Sequence, residues 1–148
     1  MNRAVLCSSF AIVLSREHHL ATRFYDKLLT RHPELAPLFH NRGRQEKMLA
    51  RALVAVLDRI DQAPWLEEQL AGLGRRHVGY GVSSEMYPWF GVALLETMAD
   101  VLGRDWTPEV AAAWSEAWAD LSALMLRSVD DPHYVERANA FSEPTAGP

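Results

Sequence analysis

The chain has 148 residues, 49% hydrophobic and 23% charged, which predicts one soluble globular domain with a sizeable core. A net charge of -4 argues against a basic surface for nucleic acid or anionic lipid, and no apolar window approaches the ~18 residues of a membrane span. Cys7 is the single cysteine, so no internal disulfide can form, and a reducing, cytoplasmic location is expected.

Helical periodicity runs through almost the whole chain before residue 130, and no segment shows the alternation typical of a strand. The first helix is predicted over Ala4–His18, with an inward face formed by Val5, Phe10, Val13 and Leu14. A second helix is predicted over Leu20–Thr30. Pro33 disfavours helix at the residue before it, so residues 33–39 are expected to form tight turns.

The third and fourth helices follow this corner. Apolar residues recur at helical spacing in a third helix, predicted over Arg44–Asp61, at Leu49, Leu53, Val56, Leu57 and Ile60. Pro64 can begin the fourth helix, which carries His77 near its end. Gly79 and Gly81 are expected to end that helix, because glycine accepts the positive φ angles found at helix C-termini.

Two more helices complete the predicted domain. Ser83 and Ser84 can cap the first of them, which Gly103 closes and which buries Tyr87, Leu94, Leu95, Met98 and Leu102. Thr107 and Pro108 are a strong start signal for the last helix, whose core face is Val110, Trp114, Trp118, Leu121 and Met125. We therefore predict an all-α domain of six to seven helices over residues 1–130, with a mobile tail over residues 131–148.

His77 is the candidate metal ligand, because it stands at a helix end before a turn and a long apolar helix. On spacing alone the indication is weak, since a single histidine is more often a surface or hydrogen-bonded residue. The apolar helix faces that flank it could line a pocket for a flat hydrophobic ligand. They could equally fill one another's grooves, as most helical stripes do.

Three ordered blocks carry a resemblance to a known family: FYDKLLTRHPELAPLF (24–39), LGRRHVGYGV with YPWFG (73–91), and AAAWSEAWADL (111–121). Together they resemble the globins, specifically the bacterial flavohaemoglobin-like and single-domain haemoglobin branch, over roughly residues 8–128. The resemblance implies a globin fold around a haem pocket. It also implies haem b, and the chain has no C-x-x-C-H attachment motif.

The resemblance also implies roles for individual residues. His77 matches the proximal histidine that ligates haem iron, and Tyr25 matches the distal tyrosine that donates a hydrogen bond to a bound diatomic ligand. The remaining predicted haem contacts are Phe39 at the corner, Tyr87 and Phe90 on the proximal side, Val82, and Arg76 beside a propionate. A solvated position is an equally good interpretation of Arg76.

The distal glutamine depends on the register. Counting back from His77 without a gap places Gln45 at the family's distal glutamine and Leu49, one turn on, at an apolar distal position. Anchoring on Phe39 with a longer loop places Leu49 there instead. We prefer Gln45, because that register needs one deletion, which falls in a loop.

One departure limits the enzymatic inference. The flavohaemoglobin enzymes have a glutamate near the end of the last helix, bonded towards the proximal tyrosine and histidine, whereas this chain reads Leu126-Arg127-Ser128-Val129-Asp130. A carboxylate there would raise the basicity of the proximal ligand, so strong catalytic tuning is in doubt. The expected function is high-affinity dioxygen binding or transport, with nitric oxide dioxygenation if a separate reductase supplies electrons. The alternative is a gas or redox sensor module that signals to a partner protein.

Overall fold

The computed structural model describes residues 1–39 and 41–127, and these form an all-helical fold in which no strand occurs. The six α-helices of this part are α1 (Arg3–Arg16), α2 (Leu20–Arg31), α3 (Arg42–Asp58), α4 (Ala63–Gly79), α5 (Tyr87–Leu102) and α6 (Pro108–Arg127). Short 3-10 turns cover Pro33–Leu38, Ser84–Met86 and Gly103–Asp105. The predicted all-α fold is confirmed. The predicted mobile tail lies outside the described residues.

The helices pack in two crossing sets around one apolar core. α4 packs on α6 and α2 packs on α5, while α1 crosses both α5 and α6. α3 packs mainly on α2 and to a lesser extent on α1. The most deeply buried large side chains are Leu6, Val13, Leu28, Leu35, Met98 and Leu102. No helix within the described ranges combines the length and apolar character that a membrane span requires.

Helix ends follow the predicted capping chemistry in several places. The Thr107 hydroxyl accepts a hydrogen bond from the Val110 amide at 3.3 Å and so begins α6. Gly103 closes α5 with a φ of 54°, which is the left-handed region that favours glycine. Gly81 has a φ of 87° just beyond α4, whereas Gly79 is the last residue of that helix.

Other predicted boundaries were wrong. α1 ends at Arg16 because Glu17 is extended, and Leu14 is 45% exposed because the buried face of that helix runs through Val13 instead. α3 begins two residues early, at Arg42, because the Asn41 side chain caps the Arg44 amide at 3.3 Å. The Ser83 side chain makes no capping bond, and a 3-10 turn intervenes before α5 begins at Tyr87.

A close helix crossing lies one turn before the predicted ligand. Gly74 on α4 faces the backbone of Met125 on α6, and a Cβ atom at Gly74 would lie 2.2 Å from the Met125 carbonyl oxygen. Only a residue without a side chain allows this approach. The crossing therefore fixes the part of α4 that carries His77.

Candidate functional site

His77 lies in the last turn of α4 and is half-buried. Its Nδ1 is 2.7 Å from the Leu73 carbonyl oxygen, one turn earlier in the same helix. A carbonyl can only accept, so Nδ1 carries the proton and the lone pair belongs to Nε2. Burial lowers the pKa of the imidazole. His77 is therefore a neutral, oriented imidazole with one nitrogen suited to a metal.

Tyr25 lies on α2 with its ring held between two phenylalanines. The ring centroid of Tyr25 is 4.9 Å from that of Phe39 and 5.0 Å from that of Phe24. Burial, with a smaller contribution from the Glu46 carboxylate, raises the pKa of Tyr25 to about 12, and Arg42 acts in the opposite direction. The phenol is therefore protonated at neutral pH. A protonated phenol carries a hydrogen that it can donate to a ligand.

Gln45 lies in the first turn of α3. Its Nε2 donates a hydrogen bond to the Leu38 carbonyl oxygen at 3.0 Å, which ties α3 to the preceding 3-10 turn. Its Oε1 is buried and has no partner among the described residues. Leu49 follows one turn later and is half-buried. One amide proton of Gln45 is thus committed to the backbone, and the predicted donation to a ligand would use the other.

The predicted proximal residues lie around His77. The ring centroid of Tyr87 is 6.3 Å from that of His77 and 6.4 Å from that of Phe90. The Tyr87 hydroxyl is buried without a partner among the described residues, and burial raises its pKa. Val82 is half-buried and its amide donates to the His77 carbonyl at 2.9 Å, whereas Arg76 is exposed.

The apolar face of α3 is the clearest indication that a non-protein group belongs in this fold. α3 has 17 residues but fully buries only Leu57, while α5, with 16 residues, buries eight. Leu49, Leu53 and Val56 continue the stripe but remain half-buried. The apolar stripe of an amphipathic helix is normally covered by other parts of the protein. The incomplete cover of α3 by the described residues, the Nε2 lone pair of His77 and the Tyr87 hydroxyl, which has no partner among those residues, together fit a flat, apolar group held by a nitrogen ligand.

A polar network beside Tyr25 was not predicted. Thr22 and Asp26 on α2 meet Arg42 and Glu46 on α3, in an arrangement that we call the α2–α3 clasp. The i, i+4 spacing within each pair was a signal in the sequence. It could not show that the two pairs face each other, because that depends on how α3 packs on α2.

The comparisons with known proteins agree with this geometry. The globin family model matches residues 22–125. A flavohemoprotein of Rhizobium meliloti is 30% identical over 118 residues, which are 77% of this chain and 29% of that protein. A flavohemoprotein of a Burkholderia species is 30% identical over 144 residues, which are 94% of this chain and 36% of that protein. The chain thus spans about a third of the length of the curated relatives it matches.

Solved structures show the same fold. An engineered carbene transferase, derived from a candidate nitric oxide dioxygenase of Rhodothermus marinus, matches with a TM-score of 0.77 at 26% identity, covering 95% of this chain and 96% of that one. A bacterial globin from Campylobacter jejuni matches with a TM-score of 0.72 at 21% identity, covering 87% and 97% of the two chains. The second likeness supports the fold alone.

Proposed function

The chain belongs to the globin family, in its bacterial flavohaemoglobin-like branch, and its cofactor is haem; from this premise we propose that it binds dioxygen and converts nitric oxide to nitrate. The observation that carries the proposal is Tyr25, whose ring is held between Phe24 and Phe39 and whose phenol is protonated at neutral pH. We also propose that residues 1–130 form the functional globin domain.

In this proposal Nε2 of His77 would hold the haem iron. The Leu73 carbonyl holds the ring by its other nitrogen, which fixes the tautomer and increases electron donation from Nε2. Phe39, Leu49, Val82 and Phe90 would contact the apolar faces of the macrocycle, and Arg76 would reach a propionate. When bound, haem supplies reversible binding of dioxygen and other diatomic gases.

Tyr25 would act on the bound gas. A protonated phenol in an apolar setting donates to a ligand that gains negative charge and thereby slows its release. One such bond contributes about 1–1.5 kcal/mol, which is about a tenfold change in the dissociation rate. Gln45 would add a second donor through its remaining amide proton. Leu49 would keep the site dry, so that these bonds do not compete with water.

The enzymatic part of the proposal needs an electron source. Nitric oxide and dioxygen combine to nitrate with the uptake of one electron, so every turnover requires a reductase to return the haem to its ferrous state. The relatives that are called flavohemoproteins support such a partner, since the flavin in that name is an electron carrier. The protein's own contribution is the oxygenated site.

The test is stopped-flow mixing of the oxygenated, haem-loaded protein with nitric oxide, followed by NADH and a flavin reductase. We expect rapid stoichiometric oxidation, then sustained nitrate production. Tyr25→Phe should speed oxygen dissociation by about tenfold. An unchanged dissociation rate would contradict the donor role of Tyr25. Oxidation without re-reduction by any reductase would contradict the enzymatic part and leave oxygen binding alone.

A further inference from the structure

The residues of the α2–α3 clasp lie beside the predicted gas-binding residues, on the faces of α2 and α3 that meet each other. On α2, Thr22 and Asp26 lie one turn apart with Tyr25 between them. On α3, Arg42 and Glu46 also lie one turn apart, with Gln45 directly before Glu46. Residues three and four apart share a helix face, so the clasp and the site occupy one interface.

Four polar contacts build the clasp. The Arg42 guanidinium donates from Nη2 to the Thr22 carbonyl at 3.0 Å and from Nε to Glu46 Oε1 at 3.0 Å. Nη2 also pairs with the Asp26 carboxylate. The Thr22 hydroxyl donates to the second Glu46 oxygen, Oε2, at 2.9 Å. Both oxygens of Glu46 and two nitrogens of Arg42 are therefore engaged, so the network has one preferred geometry.

The clasp differs from the ordinary surface ion pairs of this protein. The Arg42 and Glu46 side chains are 36% and 23% exposed, but the Asp26 side chain is 62% exposed. The Arg3–Asp61 pair, 52% and 58% exposed, is a single contact, so the clasp differs from it chiefly in its number of linked bonds. Isolated exposed pairs contribute little, because two long side chains must be ordered in a high-dielectric medium. Partly buried, multiply bonded networks restrict geometry more strongly.

The first turns of α3 have few other anchors. α3 fully buries only Leu57, near its C-terminal end, and Gln45 adds one bond to the Leu38 carbonyl. Packing, together with a bond from the Cys7 thiol to the Leu57 carbonyl at 3.7 Å, therefore holds the end of α3, and polar contacts hold its beginning. Glu46 raises the pKa of Tyr25 and Arg42 lowers it, which agrees with these two charges lying near its hydroxyl.

We propose that the α2–α3 clasp positions the first turns of α3, and with them Gln45, relative to the Tyr25 hydroxyl. Arg42 and Glu46 are then positioning residues of the gas-binding site, although neither needs to touch the ligand. This inference rests on the proposed function, since it assigns to Tyr25 and Gln45 the two sides of one ligand site. It predicts that breaking the clasp reduces the effect of Tyr25 on oxygen dissociation, although Tyr25 itself is unchanged.

The experiment compares Arg42→Gln with Arg31→Gln in the haem-loaded protein. Arg31 is a matched control, because it also joins two helices through an ion pair, from α2 to Glu96 on α5. Oxygen dissociation is measured by stopped flow, and the C–O stretching band of the carbon monoxide form is recorded by infrared spectroscopy. We expect Arg42→Gln to speed dissociation about three- to tenfold and to broaden or split the band. Arg31→Gln should leave both unchanged.

A double-mutant cycle separates positioning from general loosening. Tyr25→Phe should speed dissociation about tenfold in the natural sequence but less than about threefold in the Arg42→Gln background. An undiminished Tyr25→Phe effect in that background, or identical infrared bands for Arg42→Gln and Arg31→Gln, would overturn the proposal. A Tyr25→Phe rate unchanged in the natural sequence would instead refute the donor role of Tyr25, while the infrared comparison still tests the clasp.

Thr22→Val keeps the test decisive if Arg42→Gln fails to fold. It removes only the hydroxyl that bonds Glu46, and its control is Thr30→Val on the same helix, where the hydroxyl bonds only the Asp26 carbonyl of α2. We expect a roughly two- to fivefold faster dissociation for Thr22→Val and no change for Thr30→Val. Equal rates in the two variants would overturn the proposal.

Discussion

Gly74→Ala tests the close crossing of α4 and α6 that positions His77. The added Cβ would lie 2.2 Å from the Met125 carbonyl oxygen, 2.9 Å from its carbonyl carbon and 3.0 Å from its Cα. All three atoms belong to the backbone, so no side-chain rotation can relieve the contact. The two helices would have to separate by roughly 1 Å to restore ordinary van der Waals distances.

The expected cost follows from two opposing effects. Overpacking of this kind costs about 3 kcal/mol at the upper end, because the backbone itself must move. Alanine is a better helix former than glycine and returns about 1 kcal/mol. The net loss in the free energy of unfolding is therefore about 2 kcal/mol, which corresponds to a fall in Tm of about 6–8 °C for a chain of this size.

The assay is urea and thermal unfolding of the haem-loaded protein, followed by far-UV circular dichroism at matched haem content. Gly72→Ala is the control, since it lies on the same helix and its nearest neighbour would be the tip of Arg75 at 3.7 Å. That variant should be as stable as the natural protein or up to ~1 kcal/mol more stable. Equal stability of Gly74→Ala and Gly72→Ala would refute the crossing geometry.

Three further predictions concern single groups. Ser9→Ala should lower the free energy of unfolding by about 1–3 kcal/mol, because the buried Trp114 indole N–H donates to the Ser9 hydroxyl at 2.9 Å and would lose its acceptor. Adding Trp114→Phe should recover part of that loss in urea unfolding, and no recovery would count against this account. The pKa of Tyr25 is raised from 10.0 to about 12, so Tyr25 ionises first in the unfolded chain as the pH rises. The free energy of unfolding should therefore fall above pH 10, by up to about 2.7 kcal/mol near pH 12. In pH-dependent unfolding, Tyr25→Phe should show a correspondingly smaller fall in stability over this range. His77→Ala should lose the Soret band of bound haem after gel filtration. Full retention of the haem with unchanged iron coordination would rule out His77 as the ligand.

The sequence determined much of the fold because helical periodicity and capping are local properties. The apolar spacing and the Thr107–Pro108 start signal predicted α6 from neighbours within one or two turns, and the structure has that helix. Helix ends were less predictable where a side chain outside the apolar pattern decides them. The Asn41 cap, for instance, extends α3 beyond its first apolar residue.

The candidate site was named from the sequence through ordered motifs, since His77, Tyr25 and Phe39 each lie in a distinctive block of letters. What no pattern could supply is the partner of each polar group. The commitment of one Gln45 amide proton to the Leu38 carbonyl depends on how the corner turn meets α3. Likewise, no pattern shows that the Tyr87 hydroxyl has no partner among the described residues, because this depends on which groups the neighbouring helices place beside it.

By itself the sequence determined which helices form and which faces are apolar, because these depend on residue type and on spacing along one helix, whereas the ligand role of His77 was inferred from the resemblance of its sequence block. Only the tertiary structure decided that Gly74 lies against the α6 backbone and that Arg42 and Glu46 meet Thr22 and Asp26 beside Tyr25. Both contacts join residues far apart in the chain. Their geometry follows from helix crossing and packing, which a one-dimensional pattern does not contain.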